Sequence, residues 1–461
     1  MEAGDPSKKP YDLVKVYEDG AARRNDGIDL RPQSAEAWYV LATAHGEQEG
    51  AEIDYKLHAQ NLETWNRVML ELLSPDNKKH LVDKYALQHP LNAKPLSNEE
   101  KRNLETQLKR RHRDFSLEEL KNSDQINFSQ ILCRNHICLN GFIFLKPVFF
   151  ARSYFGRDFR IQRAAVLNQS DFKGVTFSGN AYFKESLFVE SASFHSARFQ
   201  SVATFREATF YDEVEFFHAK FRGRTYFEST RFFSSSRSNI SPKFNDCVFE
   251  FAVSFRQALF RDAVPNMRET LFPNSVEFTP DEKLWPNEKS LYNEESRETF
   301  SALSHAMESR GLKDHAHFFF RKEMMCRESI ASGLDSLLLR AYRSLSNYGY
   351  SVVRPLWGLV IVVLLGAIAF FIHSLDAACY QNRSVELKEC LASTLSEAPS
   401  FVSISFSNTF AFLGFQRAFF EVNFLRDLPN FLKVVTAAQT LLGIILLFFL
   451  GLGLRNRFRL K

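Results

Sequence analysis

The stretch FVESASFHSARF, residues 188–199, decides how this chain is read. Phe188, Phe194 and Phe199 stand six and five positions apart, and Ala192 and Ala197 each precede the next phenylalanine by two. The alternation of five and six runs from Phe172 through Phe177, Phe183, Phe188, Phe194, Phe199, Phe205, Phe210, Phe216, Phe221 and Phe227 to Phe232, so the true period is eleven. It extends upstream through Val166, Ile161, Phe155, Phe150, Phe144, Leu139 and Cys133 to Phe128, and resumes downstream at Phe244, Phe249, Phe255, Phe260, Phe272 and Phe278. The chain has 47 phenylalanines, a surplus that signals a repeated structural slot.

Neither the helical period of 3.6 nor the strand period of 2 gives this spacing. An eleven-residue repeat can mark a right-handed helical supercoil. Residues 170–233, however, are rich in β-branched, aromatic and serine residues and poor in helix formers. A chain turning a corner every five or six residues makes a narrow square coil, whose faces each send one large and one small side chain inward. Phenylalanine fills the axis, and Ala181, Ala203, Ala208, Ala219, Ala258, Ser170, Ser186, Thr225 and Thr230 clear space beside it.

This pattern resembles the Phe-rich bacterial branch of the pentapeptide-repeat family, in which alternate faces carry a sixth residue. The resemblance implies a right-handed quadrilateral β-helix over residues 123–280, with about seven coils and a rod of about 33 Å at the usual strand spacing. Two places depart from it. The polar stretch Ser234–Ile240 replaces an expected phenylalanine and predicts a loop; Asn266, beside Pro265, predicts fraying at the end of the solenoid.

Residues 1–122 read as a polar helical region, with helices over Ala35–Glu49, Asp54–Leu73 and Asn98–Arg111. Trp38, Leu41 and Ala44 faintly resemble one tetratricopeptide helix, which alone makes no repeat array. Residues 281–350 read as a cytosolic helical linker. Ser296 is placed as the cap of a helix that ends at Gly311, followed by helices over Asp314–Ser329 and Leu334–Leu345. Residues 351–461 form the expected membrane domain, with spans at about 354–374 and about 434–454.

Arg340, Arg343 and Arg354 precede the first span, and Arg455, Arg457, Arg459 and Lys461 follow the second. The positive-inside rule then places both termini in the cytoplasm of a multi-pass inner (plasma) membrane protein. The first residues lack an apolar signal region, so insertion would be directed from further along. Cys379 and Cys390 fall on the outer side and are candidates for a disulfide. Residues 398–416 are uncharged but rich in Ser, Asn and Thr, and read as a re-entrant segment. Helix, re-entrant loop and helix resemble the pore module of two-transmembrane ion channels, with Asn408, Thr409, Gly414 and Gln416 as the candidate pore loop. The loop has one glycine and no acidic residue at its mouth, which does not support potassium selectivity. Gln439 and Thr440 could line such a pore or bond across helices, and packing is the favoured role.

No phosphate loop, zinc-protease pair or nucleophile elbow occurs, so no enzyme and no cofactor is expected. Cys133, His136 and Cys138 lack a fourth metal ligand, and Cys133 sits in an inward slot. His315 and His317 point to different faces of one helix. Residues 128–278 carry 19 Lys/Arg against 14 Asp/Glu, which argues against an acidic DNA mimic and against a nucleic-acid partner. The sequence thus reads as a membrane-anchored, non-enzymatic scaffold whose solenoid meets an unknown cytosolic protein. The alternative is a homo-oligomeric ion channel assembled or gated by the solenoid. The expected partners are the lipid bilayer and, in the channel version, further copies of the chain.

Overall fold

The computed structural model describes residues 13–18, 20–74, 79, 81, 83, 85, 94–233, 241–287, 289–381, 387–415 and 428–458, except the side chains of 378–381, 387–390 and 458. The chain divides into two compact units, Met1–Cys326 and Arg327–Lys461.

The first unit is a four-sided β-solenoid of about seven turns, with helices before and after it. Strands of two or three residues stack in parallel register, each one turn of 22 residues from the next: Phe155 pairs with Phe177, Phe177 with Phe199 and Phe199 with Phe221. The rings repeat at the strand spacing and lie flat on one another, Phe172 on Phe194 at 4.7 Å and Phe199 on Phe221 at 4.6 Å. Between columns they meet edge to face, as Phe172 meets Phe183 at 85°. Each ring therefore makes both of the favourable aromatic geometries. Phe172, Phe177, Phe183, Phe188, Phe194, Phe199, Phe205, Phe210, Phe216, Phe221 and Phe227 are all buried on this axis.

The corners explain why the period is eleven. The third residue of every second corner has positive φ: Arg163, Gly174, Glu185, Ser196, Glu207, His218 and Ser229, at 54° to 64°. From Gly174 onward the residue after it donates back to the phenylalanine opening the turn, as Ala197 N does to Phe194 O at 3.0 Å, which makes a type II turn. Corners with and without this left-handed residue alternate.

Two irregularities lie in the later coils. Lys220 pairs with Val248, 28 positions on, where Arg198 pairs with Lys220, 22 on, so six residues enter between coils. The loop expected at Ser234–Ile240 falls within that insertion, outside the described residues. Near Pro265 the solenoid does not fray: Val253 pairs with Val276, 23 positions on, and Met267 fills the slot read as Asn266.

The amino-terminal region is more than helical. It opens with a meander of β1 (Leu13–Val16), β2 (Ala22–Arg24) and β3 (Asp29–Pro32), whose last strand pairs with the solenoid strand Ile131–Cys133. The Arg24 guanidinium, fully buried, pairs with Asp26 and donates to the corner carbonyls of Arg152 and Gly174, each at 2.9 Å. Helices α1 (Ala37–Ala42), α2 (Tyr55–Leu70), α3 (Asn98–Lys109) and α4 (Leu117–Asn122) follow. The helix expected over Ala35–Glu49 is shorter than its pattern suggested.

Helix α2 closes the first coil, whose open edge would otherwise expose backbone donors and acceptors. Trp65 Nε1 donates to Ile143 O, Asn66 takes Ile143 N and gives to Gly141 O, and His58 Nε2 meets Asn140 O at 3.0 Å. At the other end Trp285 packs 5.0 Å from Phe260, backed by Phe300 of α5 (Glu294–Glu308) and Phe319 of α6 (Lys313–Ile330). Asn293, not Ser296, caps α5; Ser296 is buried in its first turn and gives the capping side chain its backbone N–H.

The second unit contains α7 (Gly333–Ser346), α8 (Val353–Gln381), α9 (Leu387–Ser396), α10 (Ala398–Thr409) and α11 (Asn430–Phe458). Within them Val353–Ala377 and Asn430–Arg457 are long and apolar enough to cross a membrane. Helix α8 runs on to Gln381, past the end expected for the first span at about 374.

Candidate functional site: a polar seam between apolar helices

The second unit has its polarity reversed relative to a water-soluble core. Leu356, Ile361 and Leu365 of α8 and Val434, Leu441 and Phe448 of α11 are exposed, whereas Ser405, Ser407, Asn408 and Thr409 of α10 are fully buried. A folded chain in water does the opposite. At twelve residues α10 is about 18 Å long, too short to cross a hydrocarbon core of about 30 Å. It packs against both long helices through hydrogen bonds. Ser405 Oγ donates to Val363 O of α8 at 2.6 Å; Gln439 Nε2 of α11 reaches Ser405 Oγ at 2.6 Å and Val362 O at 3.2 Å. Thr440 Oγ1 donates to Asn408 O at 3.0 Å.

Gly443 lets α10 seat. A Cβ there would lie 2.1 Å from Thr409 O, closer than any side chain can stand. The structure therefore brings Asn408 and Thr409 together with Thr440 and Gly443, and uses Gln439 and Thr440 to join helices. Gly414 is elsewhere, exposed and left-handed at φ 82° after the short turn Ala411–Leu413. Gln416 and the side chains of Cys379 and Cys390 lie outside the described residues.

Sequence reading missed Ser405 and Gly443. It also missed a second buried polar group at the foot of these helices. The Glu328 carboxylate, with its side chain 1 % exposed, accepts from Tyr348 Oη at 2.6 Å and forms an ion pair with Arg343 Nε at 3.2 Å. Asn347, Tyr348 and Gly349 all have positive φ and turn the chain between α7 and α8. Asn456 Nδ2 of α11 donates to Gly349 O at 2.8 Å, so the start of α8 and the end of α11 lie side by side.

In the solenoid, Cys133 occupies an inward slot 3.9 Å from Tyr39 Oη, and burial pushes its thiol well up. Cys138 is held up at about 11, first by burial. Among the described residues no three His, Cys, Asp or Glu side chains converge as metal ligands. The outer faces carry ladders of residues one turn apart, such as Arg163 with Glu185, Arg206 with Glu228 and Arg222 with Gln200. Arg160 and Arg206 also lie over the rings of Tyr182 and Tyr226.

With this geometry in place, the repeat region matches the sequence model of the family of pentapeptide repeats (9 copies), over residues 161–209 and again over 172–220. Residues 161–220 of the solenoid carry the pentapeptide-repeat pattern. Where two of the matched residues pair with each other they stand 22 apart, as Thr176 does from Arg198 and Leu187 from Thr209. No curated protein and no solved structure matches the chain.

Proposed function

We propose that the protein is a membrane-anchored, non-enzymatic scaffold. Its pentapeptide-repeat solenoid would offer flat ladders of surface residues to a cytosolic protein. The observation that carries this reading is the pairing of a fully packed solenoid with a unit that exposes apolar side chains and buries polar ones. The solenoid's interior is filled with rings, so recognition would use its outside. The arginines at the start of α8 and the end of α11, with Asn456 bonded to Gly349, support placing those two helix ends on the cytoplasmic side.

One observation favours a second reading, a homo-oligomeric channel. Two anchoring helices do not need a third that is too short to span and is lined with Ser, Asn and Thr, and α10 is such a helix. In that version the re-entrant segment, residues 398–416, lines a pore, and symmetric copies surround it.

Ion flux through liposomes holding the full-length protein separates the two, with a variant lacking residues 401–416 as the control. Flux that disappears with the deletion makes the protein a channel and the solenoid its regulator. Absence of flux across varied voltage and salt leaves the scaffold.

A further inference from the structure

Helix α7 has one face packed and one face bare. Tyr342 stacks on Phe449 of α11 at 5.5 Å, Arg343 pairs with Glu328, and Ser346 is buried. The opposite face carries Leu334, Leu337, Leu338, Ala341 and Leu345, a stripe at i, i+3, i+4, i+7 and i+11. Leu334 is 68 % exposed, and Leu337 and Leu338 are 58 % exposed each. Soluble proteins do not leave such a stripe uncovered without a partner.

We infer that α7 lies in the membrane interface, with its leucine stripe among lipid acyl chains and its arginines on anionic headgroups. This rests on the reading that α8 and α11 cross the bilayer. Three observations choose lipid as the occupant. First, the left-handed turn at Asn347–Gly349 joins α7 to α8, whose Val353, Leu356 and Ile361 are exposed and apolar as well. Second, Trp357, one turn into α8, is 61 % exposed, where an interfacial aromatic belongs.

Third, the charge is cationic and gathered at this level. Arg354 Nη1 donates to Arg343 O at 2.7 Å, which holds the end of α7 against the first turn of α8. The bond from Asn456 to Gly349 brings exposed Arg455 and Arg457 to the same end, and exposed Arg340 flanks the stripe. An amphipathic helix with leucines on one side and arginines beside them is what an anionic surface binds.

The test uses the full-length protein in phosphatidylcholine vesicles, with and without phosphatidylglycerol, containing a phosphatidylcholine that bears a diazirine on its acyl chain. Illumination followed by mass spectrometry maps lipid adducts. Adducts on Leu334, Leu337 and Leu338 as well as on α8 and α11 are expected. Their yield on α7 should fall by up to about fivefold in the anionic vesicles on Arg340→Gln. The variant Leu337→Ser/Leu338→Ser should lose adducts on α7 while α8 keeps them. Adducts on α8 and α11 but none on α7 overturn the interfacial helix and leave the membrane reading intact. Absence of adducts throughout overturns both.

Discussion

The indole of Trp65 donates from Nε1 to the carbonyl of Ile143 at 2.8 Å, a bond between helix α2 and the first full coil, 78 positions apart. The same ring packs 5.2 Å from Phe142 and 5.4 Å from Phe144, so it seals the end of the aromatic column and satisfies its edge. Replacing Trp65 with alanine leaves a cavity and an unpaired carbonyl, a loss of about 3–5 kcal/mol. Hydrogen exchange should then accelerate at residues 126–144 well before residues 203–227, because solenoid stability is largely a sum of neighbouring-turn terms. Uniform acceleration along the rod would show that the cap does not act locally.

The left-handed corners make a different prediction. Ser196 holds φ at 56° with no side-chain bond to hold it there, a conformation that costs a residue with a Cβ about 1–2 kcal/mol. Ser196→Gly relieves that strain but gains freedom in the unfolded chain, for a net stabilisation of up to about 1 kcal/mol. Ser193→Gly, in the adjoining strand, should instead destabilise by about 0.5–1 kcal/mol. Gly174→Ala reverses the first change and should cost up to about 1 kcal/mol, left-handed strain less the entropy gained in the unfolded chain. Opposite shifts in the urea midpoint of the solenoid check all three.

These corners also mark where sequence reading stops. The phenylalanine slots are legible because a narrow axis tolerates one side-chain volume, so Phe172 to Phe232 declare themselves. The left-handed residue declares nothing, since Arg163, Glu185, Ser196 and His218 share no chemistry beyond facing water. The cap is equally silent: His58, Trp65 and Asn66 read as an ordinary helix until their partners, at Asn140, Gly141 and Ile143, are brought beside them. Asn266 misled because one extra residue in the turn moves Met267 into the slot. In the second unit the uncharged run to Thr409 was visible, but Gly443, which makes room for it, lies 34 positions later and looks like any glycine in an apolar helix.

Gly443 carries the third prediction. Any side chain there meets the Thr409 carbonyl, so Gly443→Ala must push α10 away from α11 at a cost of about 1–3 kcal/mol. Gln439→Leu removes two hydrogen bonds across helices, worth about 0.6 kcal/mol each in membrane proteins. The glycine variant should therefore be the more damaging, despite changing the fewest atoms. Denaturation in mixed micelles, followed by protease cleavage near α10, orders the two. The reverse order would mean that the hydrogen bonds and not the close approach seat the short helix.

Acid should weaken the amino-terminal cap through His58. Burial holds its pKa below the ordinary 6.5, although backbone carbonyls of Asn140 and Cys138 act the other way. In the unfolded chain the ring titrates near 6.5, so below that value the unfolded state binds more protons than the folded one. The stability from this site is complete above about pH 6.5 and is lost as the pH falls through the lower, folded value. Glu71 does not blur the window: burial raises it, Lys121 and Lys101 more than offset that, and its net downward shift confines its loss to below 4.5. Exchange at α2 and at the Ile143 amide, corrected for the intrinsic rate, should quicken as the pH falls below about 6.5. His58→Gln keeps a donor for Asn140 O without a charge to bury, and should flatten that dependence. A response that survives the substitution would assign the acid sensitivity to other groups, of which His195 is the first to test, since burial lowers it too.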